Sequence, residues 1–221
     1  MGLQRLKKLG KFEMEFFAVI SEEEMIPLCE KYGVDWCMHE NLPLGAKKNF
    51  GLQQAMKKDF DYLVEIGSDD LLKDQFLDIY SFDKDVFALS DFVMLNTEDG
   101  ECRKLTKRDG YYGIGRAISR KCLERVFEKG KPGIWSNDLN QGLDNYSTFF
   151  LARLGFMETR VKSAEPVAID LKSEVNIWSF QRRRGLEYSI DKALEGLSEK
   201  EITAIRQLCL VRVESESLID R

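Results

Sequence analysis

The feature that most limits what this chain can fold into is Tyr62–Ile66, a short apolar run reading YLVEI, closed by Gly67 and followed by Ser68, Asp69 and Asp70. Such a run suits a strand covered on both faces, as in a parallel sheet, better than an amphipathic surface segment. Asp69 and Asp70 then fall at that strand's carboxyl end. In open α/β sheets ligands bind at this edge, because loops converge there without disturbing the packed layers. Adjacent carboxylates repel, and they resist joint ionisation unless a cation or several donors offset them. Mg²⁺ or Mn²⁺ bridging carboxylate and diphosphate oxygens supplies that offset, since hard cations prefer oxygen ligands. Taken alone, the triplet reads as the cap of a helix over Leu71–Tyr80, because Ser and Asp commonly start helices. Its surroundings turn the reading toward a site.

Those surroundings alternate in type. Leu3–Leu9 reads as a short helix and Phe12–Ile20 as an apolar strand centred on EFFAVI. Ser21 is placed to cap the helix SEEEMIPLCEKYG, whose acidic first turn complements the helix dipole and which Gly33 ends. Val34–Met38 is the next strand, and a loop at Asn41 leads into a helix over Ala46–Lys57. Strands alternating with helices predict βαβ units. Past Tyr80 the pattern changes: VFALSDFVMLNT and ECRKLTKRD, separated by Glu98, Asp99 and Gly100, read as a hairpin. GYYGIGRAISRKCLERVF runs from a Gly-rich turn into a helix, LNQGLDNYSTFFLARLG gives another ending near Gly155, and VKSAEPVAIDLKS is extended. Ser198 and Glu201 form a capping box for the last helix.

Composition narrows the function classes. A net charge of −5 with both signs interspersed leaves no field that attracts nucleic acid. The cysteines, Cys29, Cys37, Cys102, Cys122 and Cys209, include no C-x-x-C pair, which argues against zinc and against a disulfide framework and fits a reducing cytoplasm. No apolar run approaches the roughly 18 residues that span a bilayer, and the start lacks a signal peptide's apolar centre.

NLPLGAKKNFGLQQA followed by DYLVEIGSDDLL resembles the N-x-G, R/K-N-x-G and D-x-D series of family 2 glycosyltransferases of the GT-A fold. Lys48 stands where Arg is commoner, and Ser68-Asp69-Asp70 stands for D-x-D. GLDNYSTFFLARLGF resembles the family's later E-D-x-x-L-x-x-R-L-x-x-x-G helix, with Asp144 matching the second acid, Leu143 replacing the first, and Arg153-Leu154 fitting the R-L pair. The resemblance implies a mixed α/β, Rossmann-like sheet with helices on both faces over residues 1–180, followed by a helical tail over 181–221. It implies a nucleotide-sugar donor, a glycan or other hydroxyl acceptor, and Mn²⁺ or Mg²⁺. Asp70 would bind the cation, Asp69 the ribose or donor sugar, and Asn41, Lys48 and Asn49 would line the donor pocket. Asp144 would be the general base of an inverting displacement.

Each residue also has a structural reading. Asn41 fits a turn before Pro43, Lys47 and Lys48 a solvated helix face, and Asp144 a helix start favoured by the dipole. His39 is the only histidine and precedes the acidic motif, so the late histidine ligand of many relatives is replaced here by Asp170, which reads equally as a surface carboxylate paired with Lys172. The arginine triplet of QRRRG, Gln181–Gly185, suits diphosphate or an exposed basic linker. Family members begin with a strand that lies between those matching EFFAVI and YLVEIGSDD. This chain starts after it, which exposes two apolar strand edges unless another segment fills the gap or EFFAVI takes the central place. A truncated start is the preferred explanation. Nucleotidyl transfer on a similar fold and an inactive nucleotide- or glycan-binding domain are the alternatives.

Overall fold

Helix and strand alternate at first as the residue pattern predicts. A computed structural model describes residues 2–107, 111–173, 180 and 185–216, with side chains described through residue 209. Helix α1 (Gly2–Lys8) leads to β1 (Phe17–Ile20), a 3₁₀ turn (Glu23–Met25), α2 (Ile26–Tyr32) and β2 (Asp35–Met38). Gly33 ends α2 at φ 60°, a left-handed conformation that glycine adopts without a Cβ penalty. Helix α3 (Leu44–Ala55) and β3 (Tyr62–Val64) follow, and then come β4 (Asp70–Leu72), a 3₁₀ helix (Asp74–Asp78), β5 (Val86–Leu89), β6 (Asp91–Asn96) and β7 (Cys102–Thr106). The rest comprises β8 (Ala117–Ser119), α4 (Arg120–Glu128), α5 (Leu143–Arg153), β9 (Thr159–Val161), β10 (Ala168–Lys172), β11 (Leu186–Glu187), α6 (Ile190–Leu194) and α7 (Glu199–Glu216).

Two sheets of mixed direction build the body. One has the order β3-β8-β5-β9, the other β11-β7-β6-β10-β4. Because side chains alternate across a strand, each sheet feeds two cores. Phe87 and Leu89 of β5 meet Phe92 and Met94 of β6 in the cluster between the sheets, joined by Leu72, Phe76, Ala117, Val161 and Ala168. Val86, Ile118 and Leu63 face α3, α4 and α5 on one outer side. Val93, Leu95 and Ile169 face α6 and α7 on the other. Burial on both faces is why VFALSDFVMLN is apolar almost throughout.

Several local expectations are corrected. Leu71–Tyr80 is not an α-helix: Asp70–Leu72 pair antiparallel with β10, Lys73 donates its N–H to Val167 O at 2.9 Å, and only Asp74–Asp78 turn as a 3₁₀ helix. Pairing with β10 supplies the hydrogen bonds a helix would have made, while Phe76, Leu77 and Tyr80 are buried in the central core. The stretch VFALSDFVMLNT is not one hairpin arm, since Ser90 breaks it and only β6 pairs with β7. Ser21 caps nothing; its hydroxyl is buried without a hydrogen-bond partner among the described residues. The Ser198–Glu201 box does form, each backbone N–H donating to the other's side chain.

Strands β1 and β2 form a two-stranded parallel sheet of their own. Among the described residues no strand pairs with the other edge of β1 or of β3, so EFFAVI does not take a central place. Helix α3 touches both sides of this break. Its Gly51 lies so close to Val19 that a Cβ would collide, while Leu52 packs in the cluster that holds Leu63.

Candidate functional site

The turn from Glu65 to Asp70 carries charge at both ends. At its far end Gly67 donates its N–H to the Asp70 carboxylate at 2.6 Å, and Asp70 donates back to Gly67 O at 3.2 Å. A Cβ on Gly67 would stand 2.8 Å from Asp70 Oδ2 and 2.9 Å from Asp69 Oδ1, so only glycine leaves those carboxylates where they are. Asp70 opens β4 directly opposite Asp170 of β10, and Leu171 N–H holds Asp69 O at 2.8 Å. One carboxylate oxygen from each of Asp69, Asp70 and Asp170 lies within 4.8 Å of the others. Lys172, two residues beyond Asp170 and therefore on the same strand face, places its Nζ 2.6 Å from Asp170 and 3.2 Å from Asp69.

Among the described residues this cluster is short of positive charge. Burial pushes Asp70 up to about 8, with the Asp170 charge adding and the Gly67 N–H opposing. Burial likewise pushes Asp170 up to about 7 although Lys172 pulls it down. Burial also works against the Lys172 ammonium, but Asp170 and Asp69 outweigh it and its pKa is raised. Both members of one ion pair are thus raised, Asp170 by burial and Lys172 by the carboxylates around it. A divalent cation fits that imbalance: the donors are hard oxygens from three carboxylates, and among the described residues Asp170 Oδ1 meets only the Lys172 ammonium.

At the near end of the turn stand Glu65, Lys48 and Asp144. Glu65 exchanges backbone hydrogen bonds with the 115–116 turn, donating to Arg116 O and accepting from Gly115 N, both at 2.8 Å. Its carboxylate pairs with Lys48, whose ammonium lies 4.6 Å above the Trp135 ring. Asp144, in the first turn of α5, accepts the Gly113 N–H at 3.0 Å. A Cβ on Gly113 would strike Asp144 and come within 3.3 Å of Glu65 Oε1, so both acids flank the same glycine. Gly67, whose N–H meets the Asp70 carboxylate, follows Glu65 by two residues, a span of about 7 Å of backbone at most. Behind Asp144, the fully buried Arg116 pairs with Glu158 at 3.0 Å and donates to Ser147 Oγ and, at 3.4 Å, to Asp144 O.

The sequence-derived residues are thus brought together unevenly. Asp69, Asp70 and Asp170 share one cluster, and Lys48 and Asp144 lie at the other end of the same turn. Asn49 is 1 % exposed, and its amide is spent on the facing loop, donating to Trp135 O and Asn137 Oδ1 at 2.7 Å each and accepting from Trp135 N at 3.1 Å. Asn41 is exposed and accepts from Lys47 at 3.1 Å. The arginines of QRRRG lie outside the described residues. Glu65 and Trp135 were not singled out from the sequence, and Lys172 only as a surface partner of Asp170. Glu65 is the one charge in the apolar run Tyr62–Ile66, which is the signal that could have revealed it. Two surface hollows have other walls: one lies beside Leu194, Ile202 and Arg206, the other beside Tyr146, Phe149 and Arg153.

No protein-family profile matches the chain, and no curated protein is similar to it. Among solved structures it is similar to the inositol-1-phosphate CTP transferase from T. maritima, with a TM-score of 0.50 over 88% of this chain and 83% of that one. The likeness is one of fold. At 14% identity it places the chain among mixed α/β, Rossmann-like proteins of GT-A-like architecture and says nothing of individual residues. No helix among the described residues is long and apolar enough to cross a membrane.

Proposed function

We propose that the chain is a metal-dependent transferase that moves a sugar from a nucleoside-diphosphate donor to a hydroxyl acceptor. The observation that carries this reading is the trio of carboxylates, Asp69, Asp70 and Asp170, converging with one ammonium at a turn whose other end holds Asp144. Asp70 and Asp170 would hold Mn²⁺ or Mg²⁺, and Asp69 would reach the ribose or the donor sugar. When bound, the ion neutralises charge growing on the departing nucleoside diphosphate. Asp144, held by Gly113, takes the proton of the attacking hydroxyl, and a single displacement of this kind inverts the anomeric carbon. Lys48 and Asn41 belong to the donor side. Asn49 serves it by fixing the Trp135 loop.

Nucleotidyl transfer is the second reading, favoured by likeness to a CTP transferase. The chemistry separates the two. A phosphate nucleophile is already ionised and needs no base, whereas a sugar hydroxyl does, and Asp144 beside the turn favours the hydroxyl. Incubation with Mn²⁺ and a panel of UDP-, GDP- and CDP-sugars is expected to release nucleoside diphosphate, and Asp144→Asn to abolish that release while leaving Mn²⁺ binding intact. Release of pyrophosphate from a nucleoside triphosphate and a sugar phosphate, insensitive to the Asp144 change, would establish the second reading. A chain that binds Mn²⁺ and nucleotide but turns over neither substrate set is a binding domain.

A further inference from the structure

We infer that Lys172 is the resident counter-ion of the carboxylate cluster, gives way when a divalent cation binds, and then serves the diphosphate; this rests on the metal-site reading above. Its ammonium sits on oxygens that a cation would need, 2.6 Å from Asp170 and 3.2 Å from Asp69. Both β10 residues are buried, Lys172 at 5% and Asp170 at 7% exposure, so the pair is built into the fold and is no chance surface contact. The backbone under it is fixed: β10 lies between β6 and β4, and Lys172 O accepts from Thr97 N at 2.8 Å and Thr97 Oγ1 at 2.9 Å. Only the flexible four-carbon stem is free to move the charge.

Charge counting gives the direction of each effect. Counting the described residues with all groups ionised, three carboxylates and one ammonium sum to −2, and a divalent ion brings the total to 0. Without Lys172 the corresponding sums are −3 and −1. The empty cluster of a Lys172 variant therefore attracts a dication more strongly, and no ammonium competes for Asp170. The loaded cluster, by contrast, carries a residual negative charge that repels a diphosphate and lacks the donor that would meet its oxygens. Removal of one side chain thus has opposite consequences for the two ligands. A purely structural lysine would weaken both or neither.

The test uses the full chain, Mn²⁺ alone, and then methylenediphosphonate at saturating Mn²⁺, a diphosphate stand-in that carries no base. Calorimetry on Lys172→Met and on Lys172→Gln, which keeps a polar end, is expected to show Mn²⁺ binding about tenfold tighter and methylenediphosphonate binding about tenfold weaker than in the parent chain. In the unmodified chain, acylation of the Lys172 amine followed by mass spectrometry is expected to rise on Mn²⁺ addition, a readout that does not depend on any variant folding. If the parent chain binds no Mn²⁺, the metal-site reading fails and takes the inference with it. If the parent binds Mn²⁺ but both variants bind it equally or more weakly, or acylation stays constant, the inference alone is overturned.

Discussion

Two buried charged groups lie on either side of the same short turn, and they are balanced in opposite ways. Behind Asp144, one guanidinium meets one carboxylate: Arg116 and Glu158 stand 3.0 Å apart with side chains 0% and 1% exposed. In front of β10, one ammonium among the described residues meets three carboxylates. Burial raises the pKa of Glu158 and Arg116 opposes it, so that pair approaches neutrality within the protein. Among the described residues the Asp69–Asp70–Asp170 group does not. A balanced pair holds a scaffold in place, whereas an unbalanced one is a standing affinity for something outside the chain.

The largest effect should come from breaking the balanced pair. Arg116→Met leaves Glu158 buried and uncompensated, with an expected loss of about 3–5 kcal/mol in denaturant unfolding, and added Mn²⁺ should restore none of it. Asp70→Asn should do the reverse. Mn²⁺ affinity is expected to fall by at least about a hundredfold, roughly 2.7 kcal/mol, while the metal-free melting temperature rises by about 2–4 °C as repulsion is relieved. A fall in that melting temperature would mean the acidic cluster is as balanced as the other pair.

Acidity offers a gentler probe of the same contrast. Asp70 at about 8 and Asp170 at about 7 lie above an unfolded value of about 3.9, so the folded state binds more protons between these limits. Their contribution to stability is complete below about pH 4 and is lost as pH rises through 8, with an expected slope of at most about 1.4 kcal/mol per pH unit for each acid without metal. Mn²⁺ should flatten that slope, and its affinity should climb with pH because binding expels protons. The smallest effect should come from Gly113→Ala, which displaces the Asp144 carboxylate. Turnover is expected to drop about tenfold with Mn²⁺ affinity unchanged.

Much of the architecture was legible in the residues, because alternating strand and helix patterns up to Val64 depend on local chemistry such as the Gly33 cap. The part that was not legible depends on long-range pairing. LLKDQFLDIY has apolar residues spaced for a helix, yet β10, about a hundred positions later in the chain, claims its first residues for a sheet. The same pairing explains why the acidic motif sits at the start of β4 instead of at the mouth of β3. Asp170 was proposed from the absence of a late histidine, but nothing local says that it faces Asp70. Lys172 read as half of a surface pair because burial of both partners is a property of β6, β10 and β4 together. Asn49 is a poor helix former placed inside a helix, and its amide clasps the Trp135 loop.

Ser90 shows how little slack this construction has. Its N–H donates to Val161 O at 3.2 Å in one sheet, while its own carbonyl accepts from Lys107 N at 2.9 Å in the other. Leu89 just before it holds Tyr112 ahead of Gly113, and β6 just after it aligns β10 through Met94 opposite Asp170. Gaining or losing one amino acid here would swap inward for outward along whichever strand absorbed the slip. Drift by insertion or deletion is therefore closed off at this joint, and variation in such a chain must be sought in its loops.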